Sequence, residues 1–213
     1  MSSPKVKATS SGTRQSAYVA RNRAALLNAG REILALYGPG VTVEAIVEHA
    51  QVSPATLYKY FGSREGFLGA AQESLWQEWE SWALDHASKV REPLERFITP
   101  IRLLIRVSTT HPQFTKALKH STTDPDFLIQ HLGKNSHKEV KALARAGVVS
   151  GENFEDRFLL FAYSVVAIVK KSISQSPAKA KESEKMLTIA LGLLGVDEKE
   201  AKKALSTKLA LSK

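Results

Sequence analysis

Two helix-start signals standing close together constrain this chain more than any other feature of it. Thr42 precedes the run VEAIVEHA, Ser53 precedes the run PATLYKYF, and only Gln51-Val52 separates the two. Threonine and serine are favoured N-caps, and Pro54 follows Ser53 at the first helical position, where its missing N–H costs nothing. Glu44 adds a negative charge in a first turn, where the helix dipole favours it. Ile46, Val47 and Ala50 give the first run an apolar side, and Val52, Leu57 and Phe61 give the second one. Both sides need a third element to cover them. Leu26, Leu27, Gly30, Ile33, Leu34 and Tyr37 fall on one helical face and supply it, and Gly38-Pro39-Gly40 ends that helix.

The same period continues downstream. Ser63 caps a helix that starts Arg64-Glu65 and runs to about Val90, and Pro93 opens the next. His111-Pro112 interrupts the pattern, and helices fit Pro112–Ser121, Asp126–Ala146, Glu155–Ser174 and Ser183–Leu194. Asp197–Leu211 is a tenth helix or a frayed end. No stretch alternates with period two for long and no internal repeat is present, so the fold class expected is all-α with about nine helices. The expected organisation is a flexible basic arm (1–20), a three-helix domain (21–66), a larger helical domain (67–196) and a C-terminal tail (197–213).

Composition narrows function. Lys and Arg number 30 against 21 Asp and Glu, a formal charge of +9, which points to an anionic partner. From Met1 to Arg31 no acid occurs at all. The absence of cysteine excludes disulfide scaffolds, Cys-ligated zinc, iron–sulfur clusters and thiol nucleophiles. The most apolar stretch, Phe158 to Val169, is too short for the ~20 residues that cross a bilayer. The first 20 residues lack the apolar segment of a signal peptide. A soluble cytoplasmic protein without membrane partners is expected.

Two short helices in close succession, the second well capped, follow helix-turn-helix grammar. The outward face of the second would carry Ala55, Thr56, Tyr58, Lys59 and Tyr60. Small residues at its start allow approach to base edges, hydroxyls and free amides suit phosphates, and no acid occurs from Gln51 to Ser63. The segment resembles the DNA-binding domain of the TetR family of bacterial transcriptional regulators. The resemblance rests on Leu26-Leu27, Ile33-Leu34, Thr42-Val43, Ile46 and VSPATLYKYF followed by Ser63-Arg64-Glu65, about a quarter of the chain. It implies a homodimer on a palindromic operator in double-stranded DNA, with Thr42, Ser53, Thr56, Tyr58, Tyr60 and Arg64 on the backbone. Pro54 belongs to the same surface, and Ala55, Thr56, Tyr58 and Lys59 lie nearest the bases. Two positions depart from the family: Gln51 stands where glycine is usual at the turn, and Tyr60 where histidine is frequent. If Gln51 needs a positive φ, it costs on the order of 1 kcal/mol there; the alternative is a slightly different turn that re-aims the second helix.

The C-terminal part carries less specific signals. Trp76, Trp79 and Trp82 share one stripe. With Phe97, Leu104, Phe114, Phe127 and Tyr163 they either form ordinary core or line an apolar cavity, with Gln113, His120 and Tyr163 as polar handles. In TetR-like proteins such a cavity takes the inducer, so the resemblance implies repression relieved by a small hydrophobic or aromatic effector. The helix Glu155–Ser174 is apolar nearly all round, which calls for cover by a second subunit. Phe158, Phe161, Val165 and Ile168, with Met186, Ile189 and Leu193 of the next helix, are the candidate dimer interface. Catalysis has no support: the six histidines form no metal-binding pair, and P-loop, dinucleotide and nucleophile-elbow motifs are absent. No cofactor is expected. The alternative function is a ligand-independent, weakly sequence-specific architectural DNA-binding protein on the same fold.

Overall fold

The structure is a computed structural model that describes residues 10–121 and 125–209. Among these residues there are twelve α-helices and no strand. The chain divides into two compact units, Met1–Ser74 and Leu75–Lys213. The division falls inside one helix, and so does the expected boundary at 66/67.

The first unit contains α1 (Ser10–Tyr37), α2 (Val43–Ala50), α3 (Pro54–Phe61) and the start of α4 (Arg64–Ser88). Helix α1 begins well before Arg21, within the stretch expected as a flexible arm. Arg14, Gln15, Ala17, Ala20 and Arg21 are good helix formers there, and no proline interrupts the run from Ser10. The rest of the arm, residues 1–9, lies outside the described residues. Leu26, Ile33, Leu34, Ile46, Leu57, Phe67 and Ala71 are buried together as the core. Gly30 is where α1 meets α4 most closely, since a Cβ there would lie 2.8 Å from both Ala71 and Phe67. Gly38, at φ 68°, turns the chain out of α1 into a single 3-10 turn.

The second unit holds the remainder of α4, then α5 (Pro93–Ile105), α6 (Val107–Thr110), α7 (Pro112–Ser121), α8 (Pro125–Arg145) and α9 (Phe154–Ile173). The chain ends with α10 (Pro177–Glu184), α11 (Leu187–Leu193) and α12 (Glu198–Ser206). Helix α9 is central and packs on α5, α8, α10 and α11. The single helix expected over Ser183–Leu194 is interrupted at Lys185-Met186, between α10 and α11. The Asp197 side chain accepts the Lys199 N–H at 2.8 Å and caps α12.

A buried ion cluster ties the end of the chain to α5. Arg102, 3% exposed, donates from Nε to Glu184 and from Nη2 to the carbonyls of Leu205 (3.1 Å) and Thr207 (2.9 Å). Arg106 donates from Nε to the second carboxylate oxygen of Glu184 at 2.6 Å and also from Nη2. A buried carboxylate with several charge-assisted partners is the arrangement that offsets its desolvation.

Candidate nucleic-acid interface and ligand cavity

The α2–turn–α3 segment is closed by its own local hydrogen bonds. Thr42 accepts the Ala45 N–H at 3.3 Å and Ser53 accepts the Thr56 N–H at 3.2 Å, so both act as N-caps. Between them Gln51 sits in the left-handed region (φ 53°, ψ 44°), and the Val52 N–H reaches back to the Val47 carbonyl at 3.0 Å. This is a Schellman-type stop. The chain therefore makes the turn that glycine usually makes, with a side chain that pays the left-handed penalty. Leu57, fully buried, faces α3 inward, which leaves Pro54, Ala55, Tyr58 and Lys59 exposed in a row and Thr56 half-buried beside Ser53. Tyr60 is half-buried and tilted against Phe61, while Phe61 meets Phe67 edge-on at 5.1 Å. Sequence reasoning missed Arg23, whose guanidinium lies 5.4 Å over the Phe61 ring; an exposed arginine in α1 carries no local signal of that contact.

Arg64, which the resemblance places on the DNA backbone, has its guanidinium engaged by partners within this chain. Nε donates to the Val41 carbonyl at 2.6 Å, Nη2 to the Pro39 carbonyl, and Nη1 to Glu65 at 3.1 Å. The Glu65 carboxyl is held below its ordinary range, first by its own backbone N–H and then by Arg64. Arg64 thus fastens the start of α4 to the segment between α1 and α2.

In the second unit the tryptophan stripe splits. Trp76 and Trp79, each 2% exposed, pack with centroids 5.2 Å apart, and Phe114 stacks on Trp79 at 5.8 Å. They border a cavity of about 40 Å³ that also includes Glu80, Phe97, His131 and Asn135. Trp79 and Phe114 further line a cleft of about 130 Å³ with Leu75, Glu78, His111 and Gln113. Trp82, a further 60° round the helix, leaves both and packs between His86 (4.4 Å) and His111 (4.6 Å). Among the described residues the buried indole N–H of Trp79 has no acceptor, and neither has that of Trp82. Asn135 donates to Glu80 at 3.1 Å, and Glu139 at the cavity mouth has its carboxyl pKa raised by desolvation, against an opposing pull from Arg96. His131, Asn135 and Glu139 escaped sequence reasoning because they lie on α8 and nothing short-range pairs them with α4, while Glu80, on α4 itself, carries no local sign of its Asn135 partner.

Further candidates move. Leu104 is fully buried core and lines neither cavity. Tyr163, expected in the pocket, is 46% exposed on the outside of α9. The side chains of His120 and Phe127 lie outside the described residues. Of the candidate dimer residues, Phe161, Val165 and Ile168 are each 2% exposed, covered by this chain's own helices, so no second subunit is needed to bury them. Phe158, Met186 and Leu193 are half-buried, and Ile189 is 77% exposed. The side of α9 left uncovered carries Leu159 (49%), Leu160 (56%) and Tyr163 instead.

Residues 26–71 match the model of the family described as bacterial regulatory proteins, tetR family. No curated protein matches the chain. Among solved structures, RolR in complex with resorcinol aligns with a TM-score of 0.71 at 23% identity, over 92% of this chain and 98% of that one. A TetR-family transcriptional regulator from Pectobacterium atrosepticum aligns at 0.64 and 19% identity, over 84% and 96%. A gamma-butyrolactone receptor, an ArpA-like protein, aligns at 0.56 and 17% identity, over 88% and 95%. The capped α2–α3 pair, the matched segment and the shared architecture identify residues 26–71 as a TetR-family N-terminal domain, carried on a chain with the fold of a TetR-family transcriptional regulator.

Proposed function

We propose that the protein is a cytoplasmic transcriptional repressor that binds a palindromic operator as a homodimer and is released by a small aromatic ligand. The observation that carries this reading is the α3 surface: Ala55, Tyr58 and Lys59 stand exposed beside a capped helix start, with no acid from Gln51 to Ser63. A short helix presented this way enters a major groove with its first residues toward the bases, while Thr42 and one hydroxyl of the hydrogen-bonded Ser53–Thr56 pair keep donors for phosphates. Two such heads on a two-fold axis read an inverted repeat. The uncovered apolar side of α9, with Leu159, Leu160 and Tyr163, is the face we assign to the second copy.

The ligand reading rests on the Trp76–Trp79–Phe114 cluster. A ligand oxygen would give the orphaned Trp79 N–H the acceptor it lacks. RolR, which shares the architecture, has been solved with resorcinol, a ring bearing hydroxyls. The 40 Å³ cavity holds about one water, so a ring must enlarge it or use the adjoining 130 Å³ cleft. A ligand that fits only the enlarged form shifts the protein toward that form by its differential affinity, about 1.4 kcal/mol for each tenfold preference. Among the described residues no helix is long and apolar enough to cross a membrane.

The test is selection of random double-stranded DNA by the purified protein, followed by sequencing. An enriched inverted repeat is expected, and Tyr58→Ala or Lys59→Ala should weaken binding to it by at least ~1 kcal/mol with the dimer intact. Retention of DNA without any enriched motif would favour the architectural alternative, and unchanged affinity in both variants would remove α3 from the DNA.

A further inference from the structure

A separate cavity lies far along the sequence from the tryptophan cluster and shares no residue with it. It is an open groove of about 500 Å³ formed by α10, α11 and α12, with Arg106 from the α5–α6 junction at its edge. Its apolar surface is aliphatic: Ile189, Leu205 and the Thr188 methyl. Its charges are uneven. Arg106, Lys181, Lys185 and Lys202 face it against Glu184 and Glu198.

Both acids are already engaged. Glu184 gives one carboxylate oxygen to Arg102 and the other to Arg106, two cations on one anion. Glu198 pairs with Lys202 at 2.5 Å. No carboxylate among the described residues pairs with Lys181 or Lys185, and Arg106 Nη1 has no hydrogen-bond partner among them. The groove therefore presents an aliphatic floor, two unpaired ammonium groups and the outer nitrogen of a half-buried guanidinium. An anion placed there meets positive charge on one side and leaves an apolar body on Ile189 and Leu205. A cation placed there meets two carboxylates that Arg102, Arg106 and Lys202 already neutralise.

We infer that this groove is a second ligand site, taking an aliphatic carboxylate with the carboxylate at Arg106, Lys181 and Lys185 and the chain along Ile189 and Leu205. The site is distinct in chemistry from the tryptophan cluster, which is aromatic and offers an indole donor. It also does not depend on the proposed regulatory function. Because Arg106 is shared with Glu184, a bound carboxylate competes for the guanidinium that helps hold α10 to α5.

The experiment uses the full chain labelled at isoleucine δ1-methyl groups, titrated with octanoate, octanamide and octanol and followed by methyl NMR. Ile189 is in the groove and gives the local readout. Octanoate is expected to shift the Ile189 methyl saturably, and the two neutral analogues to bind at least several-fold more weakly. The double variant Lys181→Ala/Lys185→Ala removes only exposed side chains and should lower octanoate affinity about tenfold while the remaining methyl spectrum stays in place. Equal binding of octanoate and octanamide, or unchanged affinity in the double variant, overturns the carboxylate site. So does an Ile189 methyl that ignores octanoate and moves only with protein concentration, which would give the groove to a second copy of the chain.

Discussion

The turn between α2 and α3 and the cluster around Glu184 are both polar and both essential to their units, yet they are built on opposite principles. In the first, Thr42 reaches Ala45, Ser53 reaches Thr56, and Val52 reaches Val47. Every partner is within one helical turn or so. In the second, Arg102 meets Glu184 across 82 residues and the Leu205 carbonyl across 103. Local closure is insensitive to how the remainder of the chain packs. Long-range closure exists only when the whole second unit is assembled, so a fault anywhere in its core should be felt throughout it.

The largest predicted effect breaks the second region. Val165→Asp places an unpaired charge at a position 2% exposed inside α9, which costs several kcal/mol, and urea denaturation should show the second unit unfolded or nearly so. Tyr163→Asp, two residues away on the uncovered side, should leave the urea midpoint close to wild type and convert the dimer to monomer in sedimentation. A Tyr163→Asp protein that stays dimeric would put the interface elsewhere.

Changes in the first region should be small and should differ in sign. Gln51→Gly relieves a left-handed conformation and should raise stability by up to about 1 kcal/mol, partly offset by the freer unfolded glycine. Ser53→Ala removes a cap and should lose about 1 kcal/mol. Thermal melts of the two variants should move in opposite directions. A Gln51→Gly protein less stable than wild type would mean that the glutamine side chain makes a compensating contact.

What was legible in the sequence follows the same division. Caps, the Pro54 start and the Gly38 stop depend on neighbours a few residues away and are where the sequence puts them, and of the two turns the sequence left open at Gln51 the structure has the one with positive φ. The core residues Ile46 and Leu57 follow from period alone. The intrachain partners of Arg64 were not legible, because only the fold brings the Pro39 and Val41 carbonyls to it. Phe161, Val165 and Ile168 misled for a related reason. A helix apolar all round needs cover, but sequence does not say whether the cover comes from the same chain. Here α5, α8, α10 and α11 supply most of it. The Trp82 error was one of angle: three tryptophans at i, i+3 and i+6 spread over ~120°, and a narrow cavity accepts only part of that arc.

The smallest predicted effect tests the cavity through its one perturbed carboxyl. Glu139 is partly exposed, and desolvation on its cavity side raises its pKa, with Arg96 acting in the opposite direction. A raised folded-state pKa means that the folded protein holds this proton more tightly than the unfolded chain. The group's contribution is then fully favourable below the unfolded pKa and is lost as pH rises through the folded one. At neutral pH the ionised carboxylate is a net cost, reduced by solvent screening at its exposed edge to less than about 1 kcal/mol. Glu139→Gln should therefore melt slightly higher than wild type at pH 7 and together with it near pH 4. A variant that melts lower at pH 7 would mean that attraction to Arg96 outweighs desolvation. The cavity mouth would then favour a negative charge rather than resist one, and a neutral hydroxylated ring would no longer be preferred there over a cationic ligand.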